Sequence, residues 1–350
     1  MKSSEPYTVC VQRRRILTQK GVALLMVIWV LMLLSVIVTE FCYTMRSRVN
    51  ITRNLKDSTQ AYYLAVAGVN EAIAAVIKEQ MTPGQSRGAE AETAGEESVN
   101  WRVNRDMPPV SLGRGSYEVC IRNESGRMDI NRAGERLWEA VLEGFGLESQ
   151  ERDVIVDSIM DWRDTNDLHR PNGAEDDYYQ SLDPPYHCKD GDFDTVEELL
   201  LVRGVTPEIF YAGLNQLVTV LPDSKTDDHD FDRININAAS EAMLARLPGM
   251  TPELVEAVQA FRREADFRSK AQLANLLGSD VYGRISRYIT LDSLSYFTIS
   301  AKGRVEGSQS RQGVEVLIGI DPEADKRYRI ISWRDGIREN TGALLLSGRN

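Results

Sequence analysis

A chain of 350 residues, 42% hydrophobic and 27% charged, has the balance of a globular protein with room for about two domains, which excludes wholesale disorder. Its formal net charge of -11 argues against nucleic acid or an anionic lipid surface as the partner, because both reward Lys and Arg. Four cysteines, Cys10, Cys42, Cys120 and Cys188, form no CxxC pair, which argues against a zinc ribbon and a dense disulfide framework and leaves a Cys120 to Cys188 bridge without support.

At the amino terminus, Val22 to Val38 form an apolar run without a charge, preceded by Arg13, Arg14, Arg15 and Lys20. With Thr39 the run is just long enough to cross a bilayer, which takes about twenty apolar residues. The basic cluster stays cytoplasmic, so everything after Phe41 lies on the far side. A cleaved secretory signal shares the order of basic then apolar segments, but it requires small residues after the run. Here Thr39, Glu40 and Phe41 follow it, and the small residue, Gly21, stands before it. The arrangement resembles a type IV prepilin leader. The resemblance implies that a prepilin peptidase cuts between Gly21 and Val22, leaving a single inner-membrane span at the start of an acidic exported chain. Pilin-like proteins usually carry glutamate at the fifth mature position, where this sequence has Met26. A carboxylate in the bilayer is costly unless it neutralises the amino terminus of a neighbour. Met26 therefore implies a subunit that makes no ion pair to another above it.

From Met45 to Gln80 the apolar positions Tyr62, Ala65, Val69, Ala72 and Val76 recur at helical spacing, which predicts an amphipathic helix continuing from the span. The Gly, Ala, Glu and Ser stretch from Thr82 to Ser98 predicts a flexible loop. Alternating segments at "NWRVNRD" and "GSYEVCIRNESG" read as strands, and alternation returns only in "YFTISAKGRVEG", "RQGVEVLIGID" and "RYRIISWRDG". The simplest arrangement pairs early and late strands in one antiparallel sheet packed on the long helix.

Between them, from about Met128 to Ser293, the periodicity is helical and contains a repeat. "LLLVRGVTPEIF" from Leu199 matches "LARLPGMTPELV" from Leu244, and "DINRAGERLWEAVL" from Asp129 echoes "NINAASEAMLARL" from Asn235. Thr206 and Thr251, each before Pro-Glu, are good helix N-caps, and Gly204 and Gly249 suit the left-handed ends of the preceding helices. The repeat resembles a helix-hairpin-helix unit, a module that grips DNA phosphates through a Gly-apolar-Gly turn. Only "GFG", Gly144 to Gly146, has both glycines, and the surrounding chain is acidic, so the hairpins are expected to serve packing.

The chemistry concentrates in "DWRDTNDLHRPNGAEDDYY", Asp161 to Tyr179. Pro171 and the Asn172-Gly173 pair exclude a continuous helix, while Trp162, Tyr178 and Tyr179 exclude a disordered acidic tail. An ordered loop with Asp161, Asp164, Asp167, Glu175, Asp176 and Asp177 repels itself unless a cation sits among the carboxylates. Calcium suits it, taking six to eight hard oxygen ligands at flexible angles, here completed by backbone carbonyls near Asn172. "CKDGDFDTVEEL", with Asp190, Asp192, Asp194, Glu197 and Glu198, supplies further ligands or a neighbouring site, without EF-hand spacing. Zinc fits poorly, since His187 and Cys188 are adjacent and match no ligand spacing. The competing reading is a solvated acidic loop offset by Arg163 and Arg170. The three histidines, His169, His187 and His229, lie in polar segments and read as solvated. No HExxH, GxSxG or P-loop is present, so catalysis finds no support.

Taken together, the leader without the glutamate, the split sheet, "DWRDTND" to "RPNGAEDDYY", "VEELLLVRGVT" and "ININAASEAMLARLPGM" resemble the K-type minor pseudopilin of type II secretion systems over nearly the whole chain. The resemblance implies an α+β fold in which the N-terminal helix packs on an antiparallel pilin-like sheet with a large all-α, helix-hairpin-helix-like domain inserted. Its expected division is leader 1–21, span 22–39, pilin-like part 40–127, insert 128–293 and final strands 294–350. It also implies a non-enzymatic subunit that caps a periplasmic pseudopilus with I-type and J-type minor pseudopilins, above the pseudopilus core subunits. Calcium in the helical domain is implied as well, and no nucleic acid is expected. The alternative from another class is a membrane-tethered DNA receptor, for which only Arg262 to Glu264 and Arg268 to Lys270 offer a basic stripe.

Overall fold

The protein is described here by a computed structural model, which covers residues 20–81, 101–105, 107–222 and 229–336. The expected leader through Gln19 and the loop 82–98 lie outside the described residues. The chain divides into two units, one ending at Asp57 and one beginning at Ser58. Helix α1 (Lys20–Met81) begins in the first unit. There Leu24, Leu25, Met26, Trp29 and their apolar neighbours to Val38 are all exposed, and among the described residues this is the one helix long and apolar enough to cross a membrane.

In the second unit the remaining turns of α1 carry Ala61, Ala65, Val69, Ala72 and Val76 at three- and four-residue spacing, and all are buried. They lie against a five-stranded antiparallel sheet of β1 (Val110–Leu112), β2 (Gly115–Asn123), β7 (Tyr296–Val305), β8 (Arg311–Ile320) and β9 (Tyr328–Asp335), in the order β1-β2-β7-β8-β9. The early strand β2 pairs with the late strand β7, from Gly115 opposite Val305 to Asn123 opposite Phe297. Period-two alternation turns Tyr117, Val119 and Ile121, then Phe297, Ile299 and Ala301, then Val314, Val316 and Ile318, toward the helix. Helix and sheet touch at Gly303, where a Cβ would fall 1.9 Å from the Ala61 carbonyl oxygen. Among the described residues of "NWRVNRD", 101–105, the expected strand does not form. Asn104 takes a left-handed φ of 61° in a turn with Val103 and donates its N–H to the Ile121 carbonyl, and the edge strand begins at Val110 instead.

Between β2 and β7 the chain builds a separate core. It comprises β3 (Met128–Asp129), α2 (Glu135–Glu143), α3 (Ser149–Arg163), α4 (Asp176–Gln180), a 3-10 turn (Val196–Leu201), α5 (Pro207–Ile209), a π turn (Phe210–Leu214), α6 (Asn215–Leu217) and β4 (Val218–Thr219). A second series follows: β5 (Ile234–Asn235), α7 (Glu241–Arg246), α8 (Pro252–Glu264), α9 (Lys270–Leu277), α10 (Ser279–Ile285) and β6 (Ile289–Thr290). Each series is closed by a short parallel pairing of its ends, β3 with β4 and β5 with β6.

Candidate metal centre

The two series are structural repeats, and the comparison between them locates the site. Asn131 donates Nδ2 to the Phe193 carbonyl at 3.0 Å and accepts the Phe193 N–H at 2.8 Å; Asn237 makes the same pair of bonds to Phe267 at 3.0 and 2.8 Å. Thr206 and Thr251 cap α5 and α8 through their hydroxyls, and Gly204, Gly249 and Gly278 all take positive φ at hairpin turns. The turn at Gly278 is a hairpin the sequence repeat did not reveal. After α8 only residues 265–266 precede the clamped Phe267, whereas after α3 residues 164–192 precede the clamped Phe193. The acidic loop is thus an insertion in one of two otherwise parallel repeats.

Helix α3 begins in a capping box between Glu148 and Glu151 and buries Ile155, Ile159 and Trp162 in the core. Its spacing places Asp157, Asp161 and Asp164 along one side. Asp157 Oδ2 accepts the Asn172 N–H at 2.9 Å, Asp161 accepts the Arg170 N–H at 3.2 Å, and Asp164 Oδ1 accepts the Asn166 N–H at 3.0 Å. The loop is thereby folded back along the end of the helix. Gly173 is needed where it passes Asp161, because a Cβ there would lie 1.9 Å from Oδ2. Tyr179, Phe193 and Tyr186 then pack around Trp162, with ring centroids 5.0, 6.3 and 6.4 Å away, which is why an acidic loop carries aromatics.

This folding brings ligand oxygens of Asp161, Asp164 and Glu175 within 4.8 Å of one another, and Glu175 shares a second such group with Cys188 and Asp190. Glu175 is 2% exposed, and both of its carboxylate oxygens are buried without a hydrogen-bond partner. Two orphaned carboxylate oxygens in the interior are costly unless a cation faces them. Burial first, then the charges of Asp161, Asp164 and Asp190, push the Glu175 carboxyl up to about 7. Burial likewise raises Asp161. Burial pushes the Cys188 thiol up to about 12 in the cation-free protein. Asp161, Asp164, Glu175 and Asp190 offer hard carboxylate oxygens, a donor set that fits calcium.

The other residues of the expected ligand set lie outside these two groups, Asp190 excepted. Asp167 is exposed and joins neither group. Asp176 accepts the Cys188 N–H at 3.0 Å and pairs with His187 Nδ1 at 3.0 Å, and Asp177 pairs with His169 Nε2 at 2.9 Å. His169 and His187 are exposed, as expected, and each meets a carboxylate on the flank of the loop. The Gly173 carbonyl, next to Asn172, accepts from Arg203 Nη1 at 2.9 Å. From the second acidic stretch, Asp190 reaches the centre through a left-handed φ of 51°. Asp192 instead lies near Asp129 and Arg163, Asp194 and Glu198 pair with Lys189, and Glu197 is exposed. Cys42, Cys120 and Cys188 are free thiols, so no Cys120 to Cys188 bridge forms.

Residues 121–223 match the family model described as Type II secretion system (T2SS), protein K, and residues 229–289 match the helix-hairpin-helix motif. The type II secretion system protein K of Pseudomonas aeruginosa is 25% identical over 293 residues, covering 79% of this chain and 84% of that protein. The putative type II secretion system protein K of Escherichia coli K12 is 26% identical over 231 residues, covering 64% and 67%. Among solved structures, a chain of the GspK-GspI-GspJ complex from the enterotoxigenic Escherichia coli type 2 secretion system aligns with a TM-score of 0.52 at 16% identity, over 84% of this chain and all of that one. That likeness carries the fold.

Proposed function

Because the chain belongs to the type II secretion system protein K family, we propose that it is the minor pseudopilin at the tip of a periplasmic pseudopilus, where it helps folded proteins leave through the outer membrane. The observation that carries this reading is the insertion of the whole helical domain between β2 and β7 of a pilin-like sheet, a bulk that no further subunit could easily stack upon. The exposed apolar start of α1 supplies the inner-membrane anchor, and Met26 in place of a glutamate fits a subunit with no neighbour above. I-type and J-type minor pseudopilins are its proposed partners, with the pseudopilus core subunits below. The role is structural and requires no catalytic group. Co-expression of the full chain with I-type and J-type partners of the same secretion system should give a complex that survives purification from detergent, and deleting the chain should stop secretion. Failure of both would overturn the reading.

Calcium is the proposed occupant of the acidic centre. Asp161, Asp164, Glu175 and Asp190 would hold it, and its charge would supply what the buried Glu175 oxygens otherwise lack. Tying α3 to the inserted loop, the ion would order the one part of the first repeat that has no counterpart in the second. A periplasmic site of modest affinity would fill, since extracellular modules bind calcium at about 10⁻⁴ to 10⁻³ M.

A further inference from the structure

A groove of about 1100 Å³ separates the segment leading into β1 from helices α7 and α8, with β2 at its back. In a chain of net charge -11, its lining brings together Arg102, Arg105, Arg122, Arg262 and Arg263 against a single acid, Glu241. Three of those arginines are engaged. Arg105 donates Nη1 to the Arg263 carbonyl at 2.9 Å and pairs with Asp266, Arg263 pairs with Glu256, and Arg262 donates to the Ala239 carbonyl at 2.6 Å. Arg102 and Arg122 are exposed, and among the described residues their side chains have neither an ion pair nor a hydrogen bond. We infer that this groove binds an extended acidic polypeptide segment of a partner protein, whose carboxylates pair with Arg102 and Arg122.

Three features select that ligand. A guanidinium holds a carboxylate through two parallel N–H bonds, and two guanidinia in one groove, without partners among the described residues, match carboxylates spaced along a chain. The lining also contains Met107, Pro108, Pro109 and Val110, an apolar surface that a peptide can cover and an inorganic anion cannot. Strand β1 is the sheet edge on this side, so its outer backbone groups are open to an extended chain. Duplex DNA fits less well: its affinity comes from neutralising many phosphates, and beyond these arginines the chain is acidic. The inference does not depend on the tip reading.

Fluorescence anisotropy of the full chain in detergent micelles, with fluorescein-labelled hexaglutamate as the probe, tests it. Saturable binding is expected at low salt, weakened about tenfold or more by Arg102→Glu with Arg122→Glu and suppressed as salt shortens the screening length. Because neither side chain holds the fold, the variant should keep the parent melting curve. Arg268→Glu with Lys270→Glu, on exposed residues that do not line the groove, should leave the affinity unchanged. The inference is overturned if the probe does not saturate, if the two double variants weaken it equally, or if a short DNA duplex displaces it at lower concentration than unlabelled hexaglutamate.

Discussion

Glu175 decides the chemistry of the acidic centre. In the cation-free protein its carboxyl is raised from an ordinary value near 4.5 to about 7, by burial first and then by Asp161, Asp164 and Asp190. A folded pKa above the unfolded one means that this group favours the fold fully below about pH 4.5, and that the contribution is lost as pH rises through about 7. A bound cation reverses the cost by stabilising the carboxylate, so protons and calcium compete. The rise in melting temperature on adding calcium should therefore be larger at pH 8 than at pH 5.5, and calorimetry at the two values checks this. Glu175→Gln removes the ionisable group while keeping its shape. It should stabilise the calcium-free protein at pH 8 and abolish most of the calcium response. Asp167→Ala and Asp177→Ala, whose side chains lie outside the cluster, should leave that response intact. Loss of the response in the latter pair would restore the ligand set read from the sequence.

At the level of elements, the fit of α1 against the sheet and the repeated hairpins carry the argument. Gly303 lets β7 approach the backbone of α1, and a methyl group there would meet Ala61 O at 1.9 Å and Ala65 N at 2.7 Å. Gly303→Ala should destabilise by about 1–3 kcal/mol, as overpacking does. Gly283 sits exposed in α10 with open space around its Cβ position, so Gly283→Ala should stabilise by about 0.5–1 kcal/mol. Chemical denaturation of the two variants separates these outcomes by sign. The Asn131 and Asn237 clamps show that the repeat is a matter of backbone geometry. In the sequence the echo was visible at "DIN" and "NIN" and in the paired Thr-Pro-Glu motifs. The hairpin at Gly278 was not visible, because no Thr-Pro stands two residues after it as it does after Gly204 and Gly249, and only its positive φ of 80° marks the turn.

For the whole molecule, the leader and Met26 set two predictions. Mass spectrometry of the mature protein should find Val22 at the amino terminus, as cleavage after Gly21 requires; an intact chain or a cut after Val38 would refute it. Met26→Glu should not improve secretion, because a tip subunit has no amino terminus above it to neutralise. A marked improvement would place the chain within the filament instead.

The sequence by itself determined the periodic and additive features. The apolar run, the period-two strands, the capped helices and the net charge follow from local composition, and the pairing of β2 with β7 followed because only segments at the two ends alternate. The resemblance to K-type pseudopilins was legible for the same reason, since its motifs are contiguous. Tertiary structure alone decided which carboxylates meet. Sequence proximity grouped Asp176 and Asp177 with Glu175, yet both turn to histidines, and Asp190 arrives from a later segment through a left-handed turn. It also decided the arginine groove, whose members come from the approach to β1, from β2 and from α8. Charges distant along the chain share a surface only after the hydrophobic cores of both domains have fixed where those elements lie, and that closure is a property of packing, which no single segment encodes.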